Sequence, residues 1–320
     1  MCSNPLVSIV VLNWNGEKIF PQCLESITKL QYYPYEVIFV DNGSTDRSIS
    51  LAKKFSNITI VENKHNLGYA AGNNRALDFC SNSSKFICFL NNDVAVTPSW
   101  LNEAIPYFGK YPSVGVVASR NMNYFQRDKI DGLYHCIERY FTLVRFGNGL
   151  PYLNDPLFNE PGYIISALGA SAIYRTDLFR SLGGFDDSFY AYWEDADLCM
   201  RINNSGFRCL YAPTAIVFHM DQASFKKDSC LSYYYGERNR MFFIKKNFPF
   251  SFIMEHLVDI IREDLRMLKC CLNKDRDLKI FLKARIDSLL LLGKYRYASI
   301  RGSFNSTFIH EMIKKKKISL

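Results

Sequence analysis

Apolar residues in the first 120 positions fall into short unbroken runs, separated by stretches that repeat apolar positions at helical spacing. The runs "LVSIVVLNW" (6–14), "YEVIFVDN" (35–42), "ITIVEN" (58–63), "KFICFLNND" (85–93) and "VGVVAS" (114–119) predict strands. The first, second and fourth are apolar almost throughout, as expected of parallel strands covered on both faces. Helices are predicted between the strands at 17–30, 45–55, 69–82 and 98–108. The alternation predicts an α/β fold built on a doubly wound, mostly parallel sheet. In such sheets ligands bind beyond the carboxyl ends of the strands.

Residues 121–162 lose this rhythm. They are aromatic with scattered Gly and Pro, read as an insert or loop segment over the sheet, and carry no firm structural expectation. Order returns in "YIISALGASAIYR" (163–175), a predicted strand with small residues in its middle. "TDLFRSLGG" (176–184) and "WEDADLCMRINNSG" (193–206) predict helices stopped by Gly. "FRCLYAPTAIVFHM" (207–220) is strand-like, with a break expected at Pro213. From 228 onward the pattern is helical, and "FIMEHLVDIIREDLRMLKCCL" and "DLKIFLKARIDSLLLL" carry apolar faces at helical spacing, which either pack on the body or lie partly on a membrane surface.

Charge is unevenly distributed. The net charge is +8, and residues 226–320 hold 21 Lys and Arg against 10 Asp and Glu, so the first 225 residues are slightly acidic. A near-neutral body therefore carries a basic tail, which can bind anionic lipid, nucleic acid or nothing. Nothing in the body resembles a nucleic-acid-binding motif or offers a basic platform, so no nucleic-acid partner is expected. The N-terminus lacks the basic region of a signal peptide, and no apolar run is long enough to span a membrane. The ten cysteines show no metal-binding spacing and mostly sit in apolar strings, so reduced core residues are expected.

Four predicted strands end in polar residues: Asn13, Asp41-Asn42, Glu62-Asn63 and Asn91-Asn92-Asp93. Turn chemistry explains any one of them. Several converging on one sheet edge predict a polar ligand site. In "VDNGSTD" (40–46), Ser44 to Asp46 suit a helix cap, whereas Asp41 stands where a ribose or base can be bonded. "HNLGYAAGNN" (65–74) sets Gly68 and Gly72 around a helix start, which lets backbone approach a ligand closely. The absence of GxGxxG disfavours a nicotinamide dehydrogenase.

The stretch "NND" can hold Mg2+ or Mn2+ through Asp93, since these ions prefer oxygen ligands and bind through one or two carboxylates plus substrate phosphates. "WEDADLCMR" (193–201) carries three acids in four residues. They suit a first helical turn, and Asp197 can pair with Arg201. Equally, one of them can act as a general base beside a hydroxyl. His219 closes the run "AIVFHM"; a strand histidine is usually structural, and it joins Asp93 in a metal site only if the two strands end together.

In order along the chain, "VSIVVLNWNG", "VDNGSTD", "NLGYAAGNN", "FLNNDV", "GGFDDSFYAYWEDADLCMR", "FHMDQAS" and "ERNR" resemble the family 2 glycosyltransferases of the GT-A fold, in particular the rhamnosyltransferase-like branch. The resemblance covers about residues 6–246. It implies a GT-A domain over 1–225, with a nucleotide-binding half at 1–120 and an acceptor and catalytic half at 121–225. A basic helical extension follows over 226–320. It implies a nucleotide-sugar donor, bound Mg2+ or Mn2+, and inversion at the anomeric carbon. The donor would be bound by Asn13, Asp41, Asn42, Gly68, Asn74, Asn91, Asn92 and Asp93, with Asp41 on the nucleoside. Asp93 would bind the metal bridging the donor diphosphate, and His219 would be a further ligand. Asn91 stands where the family's DxD motif has its first acid, which removes one charge. The acceptor-activating base would be Asp195, with Glu194 as second choice.

The donor favoured by the resemblance is dTDP-rhamnose. The acceptor would be a saccharide carried on a polyprenyl diphosphate, as in the synthesis of cell-surface polysaccharide. The basic tail fits a peripheral enzyme on the cytoplasmic face of a membrane. Two other functions stay open: a non-catalytic nucleotide-sugar binder and a membrane-surface adaptor.

Overall fold

The computed structural model describes residues 4–138, 141–152, 155–221, 230–273, 276–294, 304–315 and 318–319. Strands β1 (Val7–Asn13), β2 (Tyr35–Asp41), β3 (Ile58–Glu62) and β4 (Phe86–Asn91) lie parallel in the order β3–β2–β1–β4. Helices α1 (Phe20–Ile27), α2 (Ser48–Ala52) and α3 (Gly68–Asn74) connect them. Each strand is a β-branched and aromatic run, and alternate residues enter different cores. Val10, Ile38 and Val40 belong to one cluster of buried side chains, while Ile9, Val11, Val37 and Phe39 belong to another. Burial on both faces is why these strands have no polar alternation.

After β4 come β5 (Val94–Val96), α4 (Trp100–Ala104), α5 (Pro106–Lys110) and β6 (Val114–Asn123). The simple alternation then ends. Residues 121–162 contain β7 (Ile130–Gly132), β8 (His135–Ile137), β9 (Leu143–Arg145) and α6 (Pro156–Asn159). The single strand expected over 163–175 is two, β10 (Gly162–Ile164) and β11 (Ser171–Arg175), in different parts of the sheet. Ser166, Ala167, Gly169 and Ala170 fill the crossing between them, and their small side chains permit the turn. β11 enters antiparallel between β4 and β6, so the sheet is mixed at its centre.

Helices α7 (Thr176–Ser181) and α8 (Glu194–Asn204) lead to β12 (Arg208–His219). β12 continues through Pro213 rather than breaking there, because its register with β6 shifts between Ala212 and Ile216. A bulge removes the need for the missing proline N–H. Phe89 on β4 packs within 5.9 Å of the rings of Tyr174, Phe179 and Phe185, tying the two halves of the sheet together. Burying each such ring is worth about 1.5–3 kcal/mol.

The extension consists of α9 (Cys230–Asn247), α10 (Phe250–Glu255), α11 (Leu257–Leu272), α12 (Leu278–Lys294), α13 (Ser306–Lys315) and the short strand β13 (Ile318–Ser319). Phe242, Phe243, Phe248, Phe252, Ile309 and Met312 join the same core as the body. β13 pairs antiparallel with β10, at the far end of the eleven-stranded sheet from β3. Among the described residues no helix is long and apolar enough to cross a membrane. The nine described cysteines are all free, and seven are buried.

Candidate active site

The carboxyl ends of β1, β2 and β4 meet on one edge of the sheet, with Asn13 in register with Asp41 and Leu12 with Asn91. Asn13 donates to Asp41 Oδ1 at 3.3 Å and accepts from Asn92 Nδ2 at 2.8 Å. The other Asp41 oxygen accepts the Ser44 N–H at 2.9 Å. Asp41 is fully buried by these contacts, and it stands behind the surface rather than on it. Asn42 does face the cavity and ties down the following loop. It donates to Asn66 Oδ1 and the Gly68 carbonyl, and accepts from Asn63 and the Leu67 N–H, all at 2.9–3.1 Å. Gly68 has φ +80°, and a Cβ there would come within 2.6 Å of the Tyr190 carbonyl oxygen. Asn74 lies further back. It bonds both the N–H and the carbonyl of Phe185, and Asp187, so it holds the loop before α8.

Beyond β4 the chain delivers Asp93 beside His219, because β5 pairs with the end of β12 and places Val94 opposite His219. The two strands end together. His219 Nε2 is 3.2 Å from Asp93 Oδ1, and its Nδ1 is 2.8 Å from Asp131 Oδ2. Burial alone would lower the imidazole pKa, but Asp131 and Asp93 overcome it and raise it to about 10. Arg145 bonds Asp131 at 3.1 Å and lies 3.4 Å from Asp221. Asp131, His219 and Asp221 each offer a ligand atom within 4.8 Å of the others. This set is rich in oxygen with one imidazole, the chemistry that suits Mg2+ or Mn2+. The rest of "FHMDQAS", Gln222 to Ser224, falls outside the described residues.

The second group of acids opens α8. Asp197 is structural: Arg201, Lys246 and Asn247 bond it at 2.8–2.9 Å. Burial would raise its pKa, and Arg201 and Lys246 reverse that. Glu194 and Asp195 face the cavity instead. Both Asp195 oxygens accept backbone N–H groups, from Gly169 at 2.8 Å and Ala196 at 2.7 Å. His135 Nδ1 lies 3.6 Å from Asp195 Oδ2. Glu194 Oε2 is buried with no hydrogen-bond partner among the described residues. Burial, and then the neighbouring Asp195, push the Glu194 carboxyl well above its ordinary range.

The segment leading into α8 is strained. Tyr190, Tyr192 and Trp193 all have φ between 63° and 74°, a region costly for bulky residues. Two residues of "ERNR" hold it. Asn239 is fully buried and donates to the carbonyls of Phe189, Ala191 and Tyr192 at 2.7–2.8 Å. Arg238 bonds the carbonyls of Ser188 and Phe189 at 2.7 and 2.9 Å.

The metal-ligating cluster and the acid pair of α8 open into one cavity of about 450 Å³. Of the residues singled out from sequence, Asn42, Gly68, Asn91, Asn92, Asp93, Glu194, Asp195 and His219 line it. Asn13, Asp41 and Asn74 support it from behind. Sequence reasoning missed Asp131, His135 and Arg145, all in the stretch that has no periodic signal. It quoted Asp221 within "FHMDQAS" without giving it a role.

Comparison with known proteins agrees with this arrangement. The family described as glycosyl transferase family 2 matches residues 8–182. The chain is 28% identical over 203 residues to a pre-mycofactocin glycosyltransferase of Mycobacterium tuberculosis, covering 62% of this chain and 40% of that protein's length. It is 22% identical over 246 residues to an N-acetylglucosaminyl-diphospho-decaprenol L-rhamnosyltransferase of the same species, covering 70% of this chain and 78% of the relative. A mannosyltransferase from Pyrobaculum calidifontis, solved with GDP-Man and Mn2+, superimposes with a TM-score of 0.56 at 17% identity. That match covers 97% of this chain and 79% of the other, and shows that the two share the GT-A fold.

Proposed function

Because the chain belongs to glycosyltransferase family 2, we propose that it moves a sugar, with inversion, from a nucleotide-sugar donor to a saccharide acceptor. The observation that carries this reading is one cavity lined at one side by Asp93 and His219 and at another by Glu194 and Asp195. Such a transfer needs two kinds of help. Negative charge develops on the diphosphate as it leaves, and a proton must leave the attacking hydroxyl.

A divalent cation, Mg2+ or Mn2+, would be held by Asp93 and His219, with Asp131 and Asp221 beside them. When bound, it supplies positive charge to offset the diphosphate. Asp131 and Arg145 orient this cluster, the first through the His219 Nδ1 and the second through both carboxylates. Asn91, Asn92, Asn42 and Gly68 shape the donor side of the cavity. Asp41, Asn13 and Asn74 act through the turns they hold.

On the other side Asp195 accepts the proton from the acceptor hydroxyl, with Glu194 as the second candidate. The N–H of Gly169 fixes one oxygen of Asp195, and His135 stands next to it. Glu194 has its pKa raised by burial, so the two adjacent acids have different environments, the usual basis for dividing acid and base roles.

The name of the rhamnosyltransferase relative supports rhamnose as the sugar and a polyprenyl-diphosphate-linked acceptor, and dTDP-rhamnose is the donor we propose. Exposed Val258, Ile261, Leu265 and Leu272 form one stripe along α11, and Arg262, Arg266 and Lys269 lie on the same helix. An apolar stripe with basic neighbours suits reversible seating on an anionic membrane surface, where such acceptors reside.

The deciding experiment is thermal stabilisation, then turnover, with a panel of dTDP-, UDP- and GDP-sugars, each with and without Mn2+ or Mg2+. Metal-dependent stabilisation by one nucleotide class, with donor hydrolysis, is the expected result. Binding without any turnover would instead favour a non-catalytic nucleotide-sugar binder.

A further inference from the structure

Away from the cavity, three side chains of the extension converge. Glu255 is the last residue of α10, His256 follows it before α11, and His310 lies on α13. The Nε2 atoms of His256 and His310 are 3.3 Å apart. Glu255 Oε1 is 3.1 Å from the His310 nitrogen and 4.0 Å from the His256 nitrogen. Each thus offers a ligand atom within 4.8 Å of the other two.

We propose that Glu255, His256 and His310 form a second metal site, which takes Zn2+ or a cation of similar borderline softness. Tetrahedral Zn2+ binds imidazole nitrogens at about 2.0–2.1 Å, which places two such nitrogens about 3.4 Å apart. The observed separation matches that value. His310 Nδ1 is 2.8 Å from the Ser306 carbonyl, which assigns the ring proton to Nδ1 and leaves Nε2 for a metal. The rings are also held by packing, His256 on Phe141 and Phe252, and His310 on Phe252. Two imidazoles with one carboxylate select a different ion from the oxygen-rich cluster of the cavity. Three protein ligands leave a fourth position for water.

The consequence of binding is a clip. The site joins the α10–α11 corner to α13, and α13 packs against β8, the strand that carries His135 to Asp195. The ion would thus fix the helix that supports one wall of the acceptor side.

Cobalt(II) is the probe, because tetrahedral Co2+ has strong visible bands that Mg2+-type sites lack. The full chain, stripped with chelator, is titrated with Co2+ as wild type, as Asp93→Asn and as His310→Gln. The expected result is one equivalent with tetrahedral bands in wild type and in Asp93→Asn. In His310→Gln, Co2+ affinity should fall at least about tenfold and the bands should disappear. Absence of bands in wild type would overturn the proposal and leave a hydrogen-bonded histidine pair. Bands surviving in His310→Gln, or lost in Asp93→Asn alone, would also overturn it. His256→Asn serves as the second variant should His310→Gln fail to fold.

Discussion

The side-chain amide of Asn239 donates to the carbonyl oxygen of Tyr192 across 2.7 Å, two residues before Glu194. A residue of α9 thereby holds the backbone that aims the acid pair of α8. Replacing Asn239 by Ala leaves buried carbonyls unpaired, which should lower the unfolding free energy by about 1–3 kcal/mol. Asn239→Asp should do no better, because a carboxylate brings acceptors to face acceptors. Denaturant unfolding measures the first effect, and kcat per folded molecule the second. Lost stability with unchanged kcat would mean that the loop is braced but not aimed by Asn239.

Asp195→Asn should abolish transfer while leaving donor binding within about twofold, since the proposed role is to accept a proton rather than hold the nucleotide. Glu194→Gln should retain measurable transfer. Kinetics of the two variants at saturating donor decide between them. A greater loss in Glu194→Gln would exchange the two roles.

The raised pKa of Glu194 also has a stability signature. A carboxyl whose folded pKa is raised binds its proton more tightly in the native state. Its contribution is therefore fully favourable below the unfolded value and is lost as pH rises through the folded one. Glu194→Gln should remove this loss, so its melting temperature should exceed wild type by a margin that grows as pH rises above the ordinary Glu value of 4.5. Thermal melts from pH 4 to 8 test this, and a margin that shrinks with pH would contradict it.

In the cluster around His219, Asp93→Asn should raise the Mn2+ concentration needed for half-maximal transfer far more than it changes acceptor KM. Asp131→Asn should raise it about 10–100-fold, the usual cost of losing the partner that orients a metal-binding histidine. A metal titration of activity distinguishes both from general damage.

Seating on a membrane predicts salt-sensitive binding to anionic vesicles. Each basic residue near such a surface contributes about 1 kcal/mol. Ile261→Glu with Leu265→Glu should reduce co-sedimentation with anionic liposomes at low salt while sparing transfer to a soluble acceptor. Failure of wild type to sediment at low salt would exclude this surface as a membrane contact.

The parts of the fold legible in the sequence were those with strong periodicity. β1, β2 and β4 are long apolar runs, and their polar ends pointed to Asp93. His219 was tied to Asp93 only on condition that its strand ended there, and the pairing of β5 with β12 brings the two side chains together. Asp131, His135 and Arg145 sit on strands of three residues, too short to show alternation among so many aromatics. Asn239 stood in a quoted motif without a role, because its partners are backbone carbonyls, which leave no trace in side-chain pattern. The split of β10 from β11 was hidden because small apolar residues continue the run across the turn.

The position of β11 bears on how the protein is made. β4 emerges from the ribosome at residue 91, but the strand that covers its second edge is not complete until residue 175. At about 5–20 residues per second, that interval lasts roughly 4–17 s. During it a strand with five buried residues has an unpaired side, the kind of edge that recruits other chains. Chaperone protection of the nascent chain, and slow translation through residues 92–170, would thus have opposite effects on yield.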